Sequence, residues 1–349
     1  MTTTTTVLQA PAASAPFERA TVELRDLRDD DVLIEIAYAG ICHSDIHTVR
    51  EEWGSKQFPI TPGHEIAGIV TAIGSGVTRH KVGDRVGVGC MVDSCGECTW
   101  CKDGFEQYCE KGAVFTYANI GYDGEYTRGG YAQAIVVSER FTVRIPEGID
   151  LDVAAPLLCA GITTYSPLRR WNVQPGQRVA VVGLGGLGHM GVKIAVAMGA
   201  EVTVISRSLA KAADSAALGA SAHLASSDAD AMKAAAGSFD LVLNTVSADI
   251  DMEAYLKLVK PRGVLVNVGL PSQPYAFRPG LLVGPSKVFA GSNIGGIPET
   301  QEMLDFCAAH GIGAQIETIS ADEVTQAYDK VVAGDVRYRY VIDTATLTR

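Results

Sequence analysis

Gly183-Leu184-Gly185-Gly186-Leu187-Gly188 lies between two apolar stretches, the β-type run Arg178–Val182 before it and His189–Met198 after it. A lone G-x-G-x-x-G hexapeptide is a weak signal, and a purely structural glycine turn is the alternative. Between a strand and a helix it reads as a dinucleotide-binding turn. Glycine is needed for a tight turn off the strand, for close approach of backbone N–H groups to a pyrophosphate, and for close helix–strand packing. The N-terminus of the following helix adds partial positive charge.

Downstream, strand-like runs at Val179–Val182, Glu201–Ile205, Asp240–Asn244 and Val264–Val268 alternate with helical stretches at His189–Met198, Leu209–Leu218 and Met252–Val259. That alternation predicts a doubly wound parallel sheet. Where the second strand ends, an NAD-binding chain usually carries an acid for the ribose hydroxyls. Here Ser206, Arg207 and Ser208 stand instead, with Lys211 one turn on. Hydroxyls and cations suit a 2′-phosphate, which a carboxylate would repel, so the expected coenzyme is NADP(H). The alternative, that Arg207 and Lys211 merely begin a solvated helix, leaves the missing acid unexplained.

Upstream the texture is different. Short β-type runs at Val32–Tyr38, Ile66–Ile73, Arg85–Val88 and Ala134–Val137 are separated by Gly, Pro and Asp loops, which predicts a β-rich, partly barrel-like unit. From about Lys287 mixed elements return, with a helix at Glu299–His310 and a strand at Arg339–Asp343. The expected organisation is α/β, with a β-rich domain over 1–152 and 288–349 and a Rossmann domain over 153–287. The Thr- and Ala-rich start, Met1–Pro16, reads as a loose tail. It lacks the basic and apolar regions of a signal peptide.

The chain has 349 residues, 47% hydrophobic, with a net charge of −11. This is globular composition, long enough for large cores without disulfides. An acidic balance makes nucleic acid a poor partner. No apolar run approaches the roughly 20 residues of a membrane span, and the expected location is the cytoplasm.

The eight cysteines are spaced for metal rather than disulfides. Cys95, Cys98, Cys101 and Cys109 form C-x-x-C-x-x-C with a fourth cysteine eight residues on. Four thiolates so spaced suit a closed, structural zinc site, with an iron–sulfur cluster as the alternative. Cys90 and Cys307 read as plain buried thiols. A catalytic zinc needs three protein ligands and one open position, which Cys42, His64 and Cys159 could supply.

Five segments together resemble the medium-chain, zinc-containing alcohol dehydrogenases, in the cinnamyl-alcohol-dehydrogenase-like branch that includes NADP-dependent aldehyde reductases. They are Gly-Ile-Cys-His-Ser-Asp at 40–45, Pro-Gly-His-Glu at 62–65, Gly-Val-Gly-Cys-Met-Val-Asp-Ser-Cys at 87–95, Cys-Ala-Gly-Ile-Thr at 159–163 and Gly-Leu-Gly-Gly-Leu-Gly-His-Met at 183–190. The resemblance implies a GroES-like catalytic domain beside the Rossmann domain. It assigns Cys42, His64 and Cys159 to the catalytic zinc and Glu65 beside the metal. It makes Asp45 the orienter of a ligand imidazole, Ser44 the contact to the substrate oxygen, and His47 the outward proton carrier. Thr163 would lie near the nicotinamide. Thr245, Val246, Val268 and Gly269 would flank the ribose or ring, with Ser292 and Asn293 at the domain return and Arg339 at the pyrophosphate. Trp53 and Phe115 would line the substrate pocket, unless they are ordinary core aromatics. The implied protein is a two-zinc, NADP-linked dehydrogenase of primary alcohols and aromatic or medium aliphatic aldehydes, dimeric or tetrameric. An NAD-linked polyol dehydrogenase is the rival enzyme, and a binding protein on the same scaffold is the rival from another class.

Overall fold

The strands of the second unit are apolar along nearly their whole length because both their faces are covered. Val179, Val181, Val202 and Val204 on one face and Ala180, Val182, Ile205 and Val242 on the other are all buried. In this computed structural model, which describes residues 3–271 and 273–348, six strands form one parallel sheet. Across the sheet they run Ala222–Ala225, Glu201–Ser206, Arg178–Val182, Phe239–Asn244, Val259–Asn267 and Val288–Gly291. In the unit's own strand order this is 3-2-1-4-5-6, the doubly wound dinucleotide-binding order. Chain direction across the sheet reverses between Arg178–Val182 and Phe239–Asn244, and the glycine turn leaves the sheet there. The helix Gly186–Ala197 follows it. The expected helix Leu209–Leu218 is instead a 3-10 turn, Leu209–Lys211, and a helix, Ala212–Ala217. Ser208 caps the turn, its Oγ accepting from the Ala210 N–H.

In the first unit the strand Asp31–Gly40 pairs with Ile66–Ile73, Ala134–Ser138 and Arg339–Asp343. These belong to a seven-stranded sheet that also holds Ile316–Ile319, Arg85–Val88 and Val143–Arg144. Ile34 and Ile36 are buried while Glu35 between them is exposed, the alternation of a sheet with one covered face.

Two expectations are corrected. Met1 and Thr2 of the expected tail lie outside the described residues, and the rest is not loose: Thr4–Gln9 pairs antiparallel with Glu18–Glu23, and Val7 and Leu8 are buried. The threonine run is polar by composition but β-branched by shape, and that shape favours a strand. The unit boundaries also fall later than expected, at Met1–Ile162 with Gly295–Arg349 and at Thr163–Ile294. The helix Leu151–Ala154 packs on the strands Asp31–Gly40 and Ile66–Ile73, which holds it in the first unit. Val288–Gly291 completes the parallel sheet of the second unit, its Val288 and Phe289 registered on Val264 and Leu265. Among the described residues, no helix is long and apolar enough to cross a membrane.

Candidate active site

Cys42 caps the helix His43–Val49, and its N–H donates to Asp45 Oδ2 at 2.9 Å. The other carboxylate oxygen, Oδ1, lies 3.0 Å from His64 Nδ1 and accepts from Gly63 N–H at 3.2 Å. Asp45 is fully buried and also accepts from Tyr131 Oη at 3.4 Å, while Tyr328 donates to that same Tyr131. One aspartate therefore fixes both the cysteine's helix start and the imidazole. With Nδ1–H held by Asp45, His64 Nε2 is the nitrogen left to bind a metal. Burial works against the charged imidazole, but Asp45 together with Cys90 and Cys42 outweighs it and holds His64 well above the ordinary histidine range.

Cys42 Sγ and Cys159 Sγ are 3.8 Å apart. One ligand atom each from Cys42, His64, Glu65 and Cys159 lies within 4.8 Å of the others, and all four residues are buried. The hydrogen bond from Cys159, aided by the charge of Arg339, holds the Cys42 thiol well below the ordinary thiol range. Burial pushes the Glu65 carboxyl well above the carboxylate range, against the pull of Arg339. Arg339 is 3% exposed, and its Nη2 donates to Glu65 Oε1. Glu65 Oε2 is buried without a hydrogen-bond partner, and a Cβ at Gly40 would stand 2.0 Å from it. Two sulfurs, an imidazole nitrogen and an orphan carboxylate oxygen, converging in a buried site, fit a zinc ion.

Around this cluster, Ser44 Oγ lies 3.7 Å from Cys42 Sγ. His47, one helical turn further on, pairs through Nδ1 with Glu52 and stacks on Trp53 with ring centroids 4.7 Å apart. Trp53 and Phe115 are 45% and 42% exposed, which excludes the reading of either as a core aromatic. Cys90, expected to be a plain buried thiol, is half-buried, with its Sγ 3.9 Å from the carbonyl oxygen of Leu158, the residue before Cys159. Its separation of 68 positions from Leu158 hid that contact from sequence reasoning. Cys307 is buried, as expected.

The second cluster joins Cys95, Cys98, Cys101 and Cys109, again with ligand atoms within 4.8 Å of one another. Cys101 Sγ lies 3.4 Å from Cys98 Sγ and 3.9 Å from Cys95 Sγ. The N–H groups of Cys98 and Cys95 point at the sulfurs of Cys95 and Cys109, each at 3.4 Å. Gly96, at φ 68°, makes the reversal that returns the chain to the cluster.

In the second unit, Gly183 has φ 91°, and a Cβ there would meet Val246 at 2.8 Å and Thr245 at 2.9 Å. A Cβ at Gly188 would strike the Gly183 carbonyl oxygen at 2.0 Å, whereas one at Gly185 would meet nothing within 4 Å. Close packing at the first and last glycines with open space at the middle one fits a turn built to receive a pyrophosphate. Leu184 is buried, while Gly186 and Leu187 begin the helix. Thr245 Oγ1 donates to Val182 O at 2.8 Å, and Val268 N–H donates to Asn244 O at 2.9 Å, so both follow their strands at this end of the sheet. A Cβ at Gly269 would lie 2.1 Å from Val246 O. Ser292 follows the last strand, donating to Asn267 O, and Asn293 is exposed beside it. Thr163 is buried in the helix Ala160–Arg170. Lys211 Nζ donates to Leu184 O at 3.0 Å, which ties the segment after Ser206 to the glycine turn. Sequence reasoning missed His223, whose Nε2 lies 2.8 Å from Ser206 Oγ.

Residues 28–147 match the alcohol dehydrogenase GroES-like domain family, and residues 186–309 match the zinc-binding dehydrogenase family. The chain is 57% identical to NADP-dependent alcohol dehydrogenase C 1 of Mycolicibacterium smegmatis over 99% of both chains. A solved cinnamyl alcohol dehydrogenase of Sorghum bicolor superposes with TM-score 0.96 at 44% identity, over 98% of both chains. That of Helicobacter pylori, complexed with NADP(H), gives 0.93 at 40% identity over 99% of both. Both domain families and both metal-ligand clusters point to one class, the zinc-binding dehydrogenases. The chain belongs to the medium-chain zinc-containing alcohol dehydrogenases, in their cinnamyl-alcohol-dehydrogenase-like branch. Its reaction is the interconversion of an alcohol and an aldehyde.

Proposed function

We propose that the chain is an NADP(H)-linked reductase of aromatic or medium aliphatic aldehydes, running in reverse as a primary-alcohol dehydrogenase. The observation that carries the reading is the buried convergence of Cys42, His64, Cys159 and Glu65. The coenzyme choice rests on Ser206, Arg207 and Ser208 in the place of an acid, and is supported by the relatives named for NADP. Cys42, His64 and Cys159 would hold the catalytic zinc, with Glu65 beside it, and the four-cysteine lobe a second, structural zinc. Bound there, zinc supplies Lewis-acid polarisation of the substrate oxygen, and the nicotinamide supplies or accepts the hydride.

The chain's own residues do the rest. Ser44 donates a proton toward the forming alcohol oxygen. His47 replaces that proton, and Glu52, 47% exposed, passes the charge to water. Asp45 keeps His64 in the tautomer that leaves Nε2 free. Thr163, Val246, Val268, Gly269, Ser292 and Asn293 line the coenzyme's path, with Trp53 and Phe115 as apolar walls for the substrate. Such walls discriminate weakly between similar shapes, so the substrate range is broad. A homodimer is the proposed assembly, which sedimentation would test against the tetramer.

The deciding experiment measures rates with NADPH and NADH across a panel of aromatic and aliphatic aldehydes, with zinc counted per chain. NADPH is expected to be preferred, and good activity with NADH alone would overturn the coenzyme assignment. Ser206→Asp places a carboxylate at the 2′-phosphate. It is expected to weaken NADPH binding by about 100-fold, the scale of losing charge-assisted contacts, and an unchanged NADPH affinity would refute the placement. Asp45→Ala removes the anchor of His64 and is expected to lower zinc affinity about 10- to 100-fold. Zinc content after dialysis reads this directly, and full retention would sink the role given to Asp45.

A further inference from the structure

Ser206 and Ser208 are braced from behind by one histidine. His223, on the strand Ala222–Ala225, points Nε2 at Ser206 Oγ (2.8 Å) and at Ser208 O (3.2 Å), and Nδ1 at Ser215 Oγ (2.9 Å). The protons of both hydroxyls are already committed. Ser206 Oγ donates to Ser208 O at 2.7 Å, and Ser215 Oγ donates to Ala212 O at 2.8 Å. A hydroxyl has one proton to give, so both serines face the ring as acceptors, and Ser208 O can only accept. Nε2 must therefore carry a hydrogen in either state. Nδ1 carries one as well when Ser215 points at Ala212 O, and with this arrangement the ring is fully bonded only as imidazolium. The neutral ring needs the Ser215 proton turned back onto Nδ1.

We propose that His223 is a specificity-determining positioning residue of the coenzyme site. As imidazolium it braces Ser206 and Ser208 and adds a positive charge to those of Arg207 and Lys211, so that binding of a 2′-phosphate is coupled to proton uptake by the ring. The inference rests on the NADP reading above. It deepens that reading by naming a residue outside the glycine turn and the 206–211 segment. The other charged groups on the elements packed against the strand Ala222–Ala225 are Glu201 and Arg207 at the ends of Glu201–Ser206, Lys211 in the 3-10 turn and Asp214 in Ala212–Ala217. Asp228, Asp230 and Lys233 lie at the helix Ala229–Ala234. None of them hydrogen-bonds to the ring among the described residues.

Calorimetric titration of the purified protein with NADP+ and with NAD+ tests this, at about pH 6 and about pH 8 and in two buffers of different ionisation heat, which counts the protons taken up. The 2′-phosphate itself gains a proton near about pH 6. For that reason His223→Gln, which keeps a neutral amide donor toward Ser206, is compared with the native chain, and His223→Leu removes all bonding. The native chain is expected to take up more protons with NADP+ than His223→Gln does. The Gln substitution is expected to weaken NADP+ binding about five-fold near pH 6, the scale of one partly screened charge, with a smaller loss near pH 8. His223→Leu is expected to lose more NADP+ affinity than His223→Gln. Equal proton uptake in the native and Gln chains overturns the inference, as does equal weakening of NADP+ and NAD+, which would mark plain loop support. If the native chain binds NAD+ as well as NADP+, the coenzyme reading falls first. If it prefers NADP+ and His223→Gln leaves that preference untouched, the inference alone falls.

Discussion

Cys42→Ala is expected to lower kcat by about 1,000-fold or more with the fold intact. Lewis-acid stabilisation at the reacting oxygen is worth several kcal/mol, and each 1.4 kcal/mol is about tenfold in rate. The sulfur lies 3.8 Å from that of Cys159, and losing it leaves two of the three proposed zinc ligands. The substitution is gentle otherwise. Alanine needs less space than cysteine, and the backbone N–H of residue 42 still reaches Asp45 Oδ2, so the helix His43–Val49 keeps its start. Zinc is expected to fall from two ions per chain to one, since the cluster Cys95, Cys98, Cys101 and Cys109 is a separate ligand set. Rate measurement, elemental analysis and near-UV circular dichroism on one preparation test this together. Full activity with a single zinc would remove Cys42 from the mechanism.

The two clusters differed in how far the sequence revealed them. The four lobe cysteines lie within 15 positions, so spacing alone fixed their grouping. Cys42, His64 and Cys159 span 118 positions, and the grouping there depended on five matched segments rather than on any periodicity. Orientation was outside reach in both. Nothing in the order of residues shows that Asp45 divides its two oxygens between Cys42 and His64, or that Arg339 pairs with Glu65 across 274 positions. The Arg339–Glu65 contact depends on the strand Arg339–Asp343 pairing with Asp31–Gly40, which in turn pairs with Ile66–Ile73 directly after Glu65.

In the second unit, local pattern carried further. A strand that is apolar after its exposed Arg178, the glycines and the next helix are contiguous, so the turn could be read as one piece. The strand Val288–Gly291 was missed because it is short and only partly buried, and its membership is decided by Val264 and Leu265 on its neighbour. The N-terminal strand was missed for the opposite reason. Its threonines looked like tail composition, while its partner Glu18–Glu23 alternates too weakly to announce pairing. His223 belongs with these cases. An isolated histidine in a short strand signals nothing until the fold brings it behind Ser206.

Cys101→Ser is expected to release the second zinc and unfold the lobe locally. The segment between the first and last lobe cysteines holds only a one-turn helix, Thr99–Lys102, and a 3-10 turn, Glu106–Tyr108, and it exposes Trp100, Phe105 and Tyr108. So little secondary structure and so many exposed rings leave the metal as the main source of local order, and structural zinc is worth roughly 10 kcal/mol or more in small domains. Burial pushes the Cys101 thiol up to about 12, so without a cation this sulfur stays protonated and the four groups cannot all be thiolates. The sign with pH follows. Protons compete with zinc for the sulfurs, so affinity falls as pH falls, and acid or a chelator should strip the lobe of the native chain in the same way. A hydroxyl in place of the sulfur is a poor zinc ligand, so Cys101→Ser should behave at neutral pH as the stripped native chain does. Limited proteolysis should then cut between Cys95 and Gly112, and Trp100 fluorescence should shift as its packing against Phe105 and Tyr108 is lost. Two zinc ions per chain with an unchanged cleavage pattern in Cys101→Ser would show that the lobe is held by its packing and not by the metal.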